Sequence, residues 1–290
     1  MEHGFIKVAA MSPDLRVSDC DYNAQKIIEA IGFANKHEVK LLCFPKLCVT
    51  GATCEDLFFQ SSLQDGALTA VLKIAEASAD LQMVVIIGAP IILNNKLYDC
   101  EIVVYNGSVI AVVPTIGSSR QFSVPKDEDS LIMIDNRTVP FSTKLSFRAT
   151  ACKDFSFGFD EASNIILCPF AEFETVSAEN DRRLKAQYLS HALRCGYIMS
   201  GAAAGESSTN GVFSGHQIIA ENGEILSESL PFGKMMTISE IDVKKIAALR
   251  LKSPALPDDK LGCYNILELD IRISRTALTR YIPANPFVPQ

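Results

Sequence analysis

Tryptophan is absent from the 290 residues, and so are Cys-x-x-Cys pairs. The nine cysteines stand at positions 20, 43, 48, 54, 100, 152, 168, 195 and 263. None has a zinc-type spacing, and the odd count leaves one unpaired in any disulfide scheme. Most sit in apolar runs such as Leu42-Cys43-Phe44 and Leu167-Cys168-Pro169, where a free cysteine packs as a small hydrophobe. The longest apolar runs are about seven residues, against the roughly 20 a membrane helix requires. Residues 1–11 lack a basic stretch followed by an apolar one, so no secretory signal is expected and the expected location is the cytoplasm. Cationic charge is also short: 27 Lys+Arg face 34 Asp+Glu, a net charge of −7. Nucleic acid is therefore not an expected partner, because phosphate binding needs clustered cations. No glycine-rich fingerprint follows a strand-like run, which argues against a dinucleotide fold. No cofactor and no metal is expected.

What is present is core material. Apolar residues make up 48% of the chain and charged residues 21%, a globular balance. Phe5–Met11 alternates as a strand, and Ser18 or Asp19 can cap a helix carrying Ala24, Ile27, Ile28, Ile31 and Ala34 at helical spacing. Lys40–Phe44 and Met83–Pro90 are short apolar runs expected as buried strands, with a helix through Leu63, Ala67, Ala70, Val71 and Ile74 between them. Asn106-Gly107 joins two alternating segments as a hairpin. The second half repeats this order. Asn164–Leu167 and Tyr197–Gly201 read as strands, and Asn222-Gly223 as the turn of a hairpin. Lys234–Ile241 reads as a closing strand. The helix Glu179–Cys195 carries Leu184, Tyr188, Ala192 and Cys195 on one stripe.

Two β-α-β-α halves, each followed by a hairpin, imply an α/β fold: an αββα sandwich of two mixed sheets with helices outside. Residues 1–242 are expected to form this domain. Residues 243–290, polar and punctuated by prolines, are expected as an extended tail.

Phe44-Pro45-Lys46-Leu47-Cys48-Val49-Thr50-Gly51-Ala52-Thr53-Cys54-Glu55-Asp56-Leu57-Phe58 resembles the FPELxLTGYSCEDLF segment of the nitrilase-like glutaminase domain of glutamine-dependent NAD synthetases. The resemblance extends over essentially the whole chain. It includes Gly205-Glu206-Ser207-Ser208-Thr209, the run Ser214–Gly223 and Tyr281–Pro289, where that family passes into its synthetase domain. It implies a nitrilase-like carbon–nitrogen hydrolase fold that tends to self-associate. The implied activity is glutamine hydrolysis, with the ammonia used to amidate deamido-NAD. The implied mechanism uses a cysteine nucleophile, a glutamate acid–base and a lysine that stabilises the oxyanion.

Carried over residue by residue, the nucleophile position is Cys152. Lys46 stands where the glutamate base would be, and Thr115 where the oxyanion lysine would be. Pocket positions differ too. Ala52 replaces a tyrosine, Lys153 a glutamate beside the nucleophile, and Ser156 a tryptophan, while Glu172 falls in a loop that is otherwise small and polar. Gln121 replaces a further acidic position. Lys46, Lys153, Asp154 and Glu172 are expected to pair with one another and close the pocket. His216 is expected to hydrogen-bond structurally, and residues 205–209 to form a structural turn beside the pocket. His191 is expected at the surface or in packing.

These substitutions imply a pseudo-glutaminase kept as a scaffold or regulatory subunit. Its expected partners are further copies of itself or an NAD synthetase. The alternative is a surviving Cys152-dependent amidase or glutaminase supplying ammonia. A third possibility is the first half of a longer polypeptide, since no ATP-pyrophosphatase loop is present in these residues.

Overall fold

The computed structural model describes residues 4–116, 121–125, 129–149, 153–157, 163–233, 236–252, 265–271 and 277–282. The first half alternates strand and helix: β1 (Phe5–Ala10), α1 (Cys20–Lys36), β2 (Leu41–Cys43), α2 (Ser61–Ala77) and β3 (Val84–Leu93). Three meandering pairs follow, β4 (Lys96–Tyr105) with β5 (Ser108–Pro114), β6 (Ser130–Ile134) with β7 (Arg137–Phe141), and β8 (Leu145–Ala149) with β9 (Lys153–Phe157). The second half adds β10 (Ile165–Phe170), α3 (Ala178–Ala192), β11 (Gly196–Gly201), β12 (Gln217–Glu221), β13 (Glu224–Glu228) and β14 (Thr237–Asp242). Then come α4 (Val243–Leu251) and β15 (Asn265–Leu269). The strands form one sheet ordered β14-β1-β2-β3-β4-β5-β7-β6 and another ordered β13-β12-β11-β10-β9-β8-β15. The expected αββα sandwich is observed.

Period-two alternation sorts the apolar residues into layers. Ile6, Val8, Val84, Ile86 and Val103 meet Phe147, Phe155, Ile165, Leu167 and Ile198 in the gap between the sheets. Their neighbours Ala9, Val85, Ile87, Ile102 and Val104 face outward against Ile27 and Ile31 of α1 and Val71 and Ile74 of α2. Each such buried aliphatic side chain contributes roughly 1.5–3 kcal/mol. Asp19 caps α1, accepting from Tyr22 N at 3.1 Å. Both expected hairpin turns form with left-handed backbone, at Asn106-Gly107 (φ 46° and 79°) and Asn222-Gly223 (φ 48° and 91°).

Two expectations fail. On α3 the buried residues are Arg182, Ala186 and Ser190, while Leu184 and Tyr188 are 64% and 71% exposed. The apolar stripe points away from the sheet because Arg182 is needed inside. There it donates from Nε to His216 Nδ1 at 3.0 Å and pairs with Glu174. Second, the segment beyond Asp242 is not simply extended. It contains α4, and β15 pairs in parallel with β8.

Residues 277–282 form a strap across both sheets. Glu240 of β14 and Glu221 of β12 are fully buried carboxylates. Glu240 accepts from Thr279 N (3.1 Å), Thr279 Oγ1 (3.0 Å) and Arg280 N (3.2 Å). Arg280 donates to Glu221 Oε2 at 2.8 Å and to the Glu240 carbonyl at 2.9 Å, and Lys7 donates to the Ala277 carbonyl at 3.0 Å. Lys245 also donates to Glu221 Oε1 at 2.9 Å, so removing Arg280 leaves that buried carboxylate only partly compensated and strips a donor from the strap. Arg280→Ala is therefore expected to lower stability by about 3 kcal/mol, read as a lower urea midpoint. An unchanged midpoint would show that the strap carries no stability.

Candidate functional site

The loop after β2 is pressed onto β3. Phe44 N donates to the Ile86 carbonyl at 2.9 Å and Val49 N to the Gly88 carbonyl at 3.1 Å. A Cβ on Gly88 would lie 2.1 Å from Leu47 N and 2.7 Å from Lys46 Cα, so only glycine allows this approach. That contact holds Lys46 beside the end of β4. Asp99, on β4, receives Lys46: Nζ stands 3.6 Å from Oδ2, with the two side chains 26% and 15% exposed. Thr115 N donates to the Asp99 carbonyl at 2.8 Å, and the Thr115 side chain lies near enough to the Asp99 carboxylate to lower its pKa. Lys46 and Thr115, singled out from sequence, thus meet on a third residue that sequence reasoning missed.

A fourth group stands next to them. Glu101 lies two residues along β4, is 3% exposed, and faces the gap between the sheets as Val103 does. Neither of its carboxylate oxygens has a hydrogen-bond partner, nor does Asp99 Oδ1. Burial, reinforced by the Asp99 charge, pushes the Glu101 carboxyl up to about 8. Burial also raises the Asp99 carboxyl, against the opposing pull of Lys46 and Thr115. The signal was legible in principle: Asp99-Cys100-Glu101 places two acids on alternate positions of an otherwise apolar strand.

The remaining positions are arranged differently. Ala52 and Thr53 are pinned by Glu206, which accepts from Ala52 N (2.7 Å), Thr53 N (3.0 Å) and Thr53 Oγ1 (2.6 Å). Burial nevertheless raises the Glu206 carboxyl. Gly205, at φ 118°, would bring a Cβ within 2.2 Å of the Leu15 carbonyl oxygen, so residues 205–209 serve as the expected structural turn. His216 is also structural: Nε2 donates to Glu228 at 2.8 Å once Nδ1 accepts from Arg182, and burial lowers its pKa. His191 is exposed on α3. Gln121 Nε2 donates to Glu55 at 3.0 Å. Cys152 lies outside the described residues, between the end of β8 at Ala149 and the start of β9 at Lys153. The side chains of Lys153 and Asp154 also lie outside them. Glu172 is exposed. Among the described side chains the carboxylate that receives Lys46 is Asp99.

Residues 7–123 match the family described as carbon-nitrogen hydrolase. A glutamine-dependent NAD(+) synthetase of Mycobacterium tuberculosis is 27% identical, covering 99% of this chain and 48% of that protein. The chain thus spans about half the length of the curated relatives it matches first. Among solved structures, a glutamine-dependent NAD(+) synthetase from Cytophaga hutchinsonii superposes with a TM-score of 0.76 at 21% identity, over 82% of this chain and 43% of that one. Saccharomyces cerevisiae Nit3, a member of branch 10 of the nitrilase superfamily, gives 0.65 at 17% identity, over 88% and 97%. These solved structures share the fold of two mixed sheets with flanking helices. No helix among the described residues is long and apolar enough to cross a membrane.

Two outcomes are expected of Glu101 and Glu206. An acid whose folded pKa is raised from 4.5 to about 8 contributes stability that is complete below pH 4.5 and is lost as pH rises toward 8. Glu101→Gln should therefore be the more stable protein at pH 8–9, with the difference vanishing near pH 5. Urea midpoints across that range measure it, and parallel profiles would refute it. Glu206→Ala strips the acceptor from two backbone amides, an expected loss of about 1–3 kcal/mol. Hydrogen exchange at Ala52 and Thr53 should accelerate well beyond that at β3; equal rates in both proteins would contradict the clamp.

Proposed function

We propose that this carbon-nitrogen hydrolase domain is a pseudo-glutaminase of the NAD synthetase family, retained for its shape and surfaces as a scaffold or regulatory subunit. The observation that carries the reading is the Lys46–Asp99 pair. The position of the acid–base glutamate holds an ammonium already matched to a carboxylate, and the position of the oxyanion lysine holds Thr115, an uncharged side chain whose backbone N–H is bonded to that same Asp99. General acid–base catalysis supplies about 10²–10⁴-fold and an oxyanion donor about 10²–10³-fold, so loss of both leaves little turnover. Meanwhile the turns, the close approach at Gly88 and the Glu206 clamp are intact, which is unlike unselected decay.

The exposed Leu184 and Tyr188 of α3 support self-association or a protein partner of the synthetase type, in residues 1–242 or with the tail 243–290 included. Size-exclusion chromatography with light scattering should show an oligomer that Leu184→Glu with Tyr188→Glu dissociates. A strict monomer that captures no synthetase would remove this role.

A second reading has one observation in its favour. The pocket still holds an ammonium and two carboxylates, so Lys46 could stabilise an oxyanion while Asp99 or Glu101 moves the proton for Cys152. Ammonia release from glutamine and simple amides separates the two readings. The expected result is background release, identical in Cys152→Ala. Release abolished by that substitution would establish the amidase.

A further inference from the structure

Three carboxylate oxygens at the inner end of β4, Asp99 Oδ1 and both oxygens of Glu101, are buried with no hydrogen-bond partner. Buried acceptors are normally satisfied, and each orphan is costly. Lys46 answers one oxygen of Asp99 at 3.6 Å and leaves these three. A proton on Glu101 neutralises it but brings one donor for three acceptors, and a water brings two. Among the described residues no group of three His, Cys, Asp or Glu side chains is set to hold a metal ion, and Lys46 would repel a divalent one. The species that matches three acceptors with one positive charge is a small ion made of N–H donors.

We propose that Asp99 and Glu101, beside Lys46, form a binding site for ammonium or the ammonium end of a small primary amine. Lys46 and Asp99, at 26% and 15% side-chain exposure, are the members of the cluster that reach solvent. This inference rests on the reading that the pocket no longer hydrolyses amides, and it gives the altered pocket a ligand class.

Binding displaces the proton that Glu101 holds at neutral pH. The titratable groups that interact with Glu101 are Cys43 of β2, Lys46 and Cys48 of the following loop, and Asp99 and Cys100 on its own strand. Below pH 8 the apparent Kd should tighten about tenfold per pH unit, one proton leaving per cation bound.

The test is a thermal-shift and calorimetric titration of the full chain at pH 8 and constant ionic strength. The probes are ammonium, methylammonium, sodium and tetramethylammonium chlorides. Ammonium and methylammonium should raise Tm in a saturating manner; sodium and tetramethylammonium, which lack N–H donors, should not. Glu101→Gln and Asp99→Asn should lose the response, and Lys46→Met, which frees both carboxylates, should strengthen it. Equal shifts with all four salts, or an ammonium response unchanged in Glu101→Gln, would overturn the site. If Glu101→Gln does not fold, the Lys46→Met arm decides: a weakened or absent response there is equally fatal. Cys152-dependent ammonia release would sink the non-hydrolytic reading separately, whatever the titration shows.

Discussion

The face-to-face packing of the two sheets dictates what β4 can carry. Successive residues of a strand point to opposite faces, so the register that buries Val103 between the sheets sends Glu101 and Asp99 the same way. A one-residue slip would put these acids against the helices and Cys100 and Ile102 into the gap. The apolar contacts of Cys100, Ile102 and Val104 with the helix-side core forbid that slip. The acids are held in the interior by the hydrophobic register around them, and their raised pKa values follow from that placement alone.

Everything near the site answers to this constraint. Gly88 is Cα partner to Glu101 and is also where the loop carrying Lys46 touches β3, so one missing side chain brings the ammonium to the acids. Glu206 reaches from the second half of the chain to Ala52 and Thr53, fixing the other end of the same loop. The strap at 277–282 applies a similar device elsewhere: buried acids on β12 and β14 are matched by Arg280 and Thr279 from a distant segment. Three times, a buried or half-buried carboxylate organises chain from elsewhere; Glu206 and the strap acids are matched by donors, and Asp99 with Glu101 is not.

Local patterns in the sequence were a good guide where local physics decides. The helix cap at Asp19, the Asn-Gly turns and the continuous apolar runs of β2, β3 and β10 are determined by neighbours a few residues away, and they formed where expected. The α3 stripe was misread because its inward face is set by Arg182 engaging His216 and Glu174, a tertiary choice that overrides periodicity. The strand β15 is short and its pairing with β8 spans more than a hundred residues, which no local window contains. At the site, Lys46 and Thr115 were visible as substitutions in a motif. Asp99 and Glu101 were hidden because attention to motif positions passes over the strand between them.

That hidden pair changes how the substitutions are weighed. Taken one at a time, a lysine at position 46 buries a cation without reason and a threonine at 115 merely deletes one. Taken with Asp99, the lysine has its counter-charge and the threonine is tied by its backbone N–H to the residue that supplies it. Isolated buried charges cost several kcal/mol, so a chain drifting without constraint would not be expected to place a cation and its matching acid together. On the proposed reading the pocket has therefore been rebuilt around a new electrostatic centre. Its unmatched acid, Glu101, is the part of that centre whose purpose a stability argument cannot supply, because replacing it with a neutral isostere would make the fold more secure.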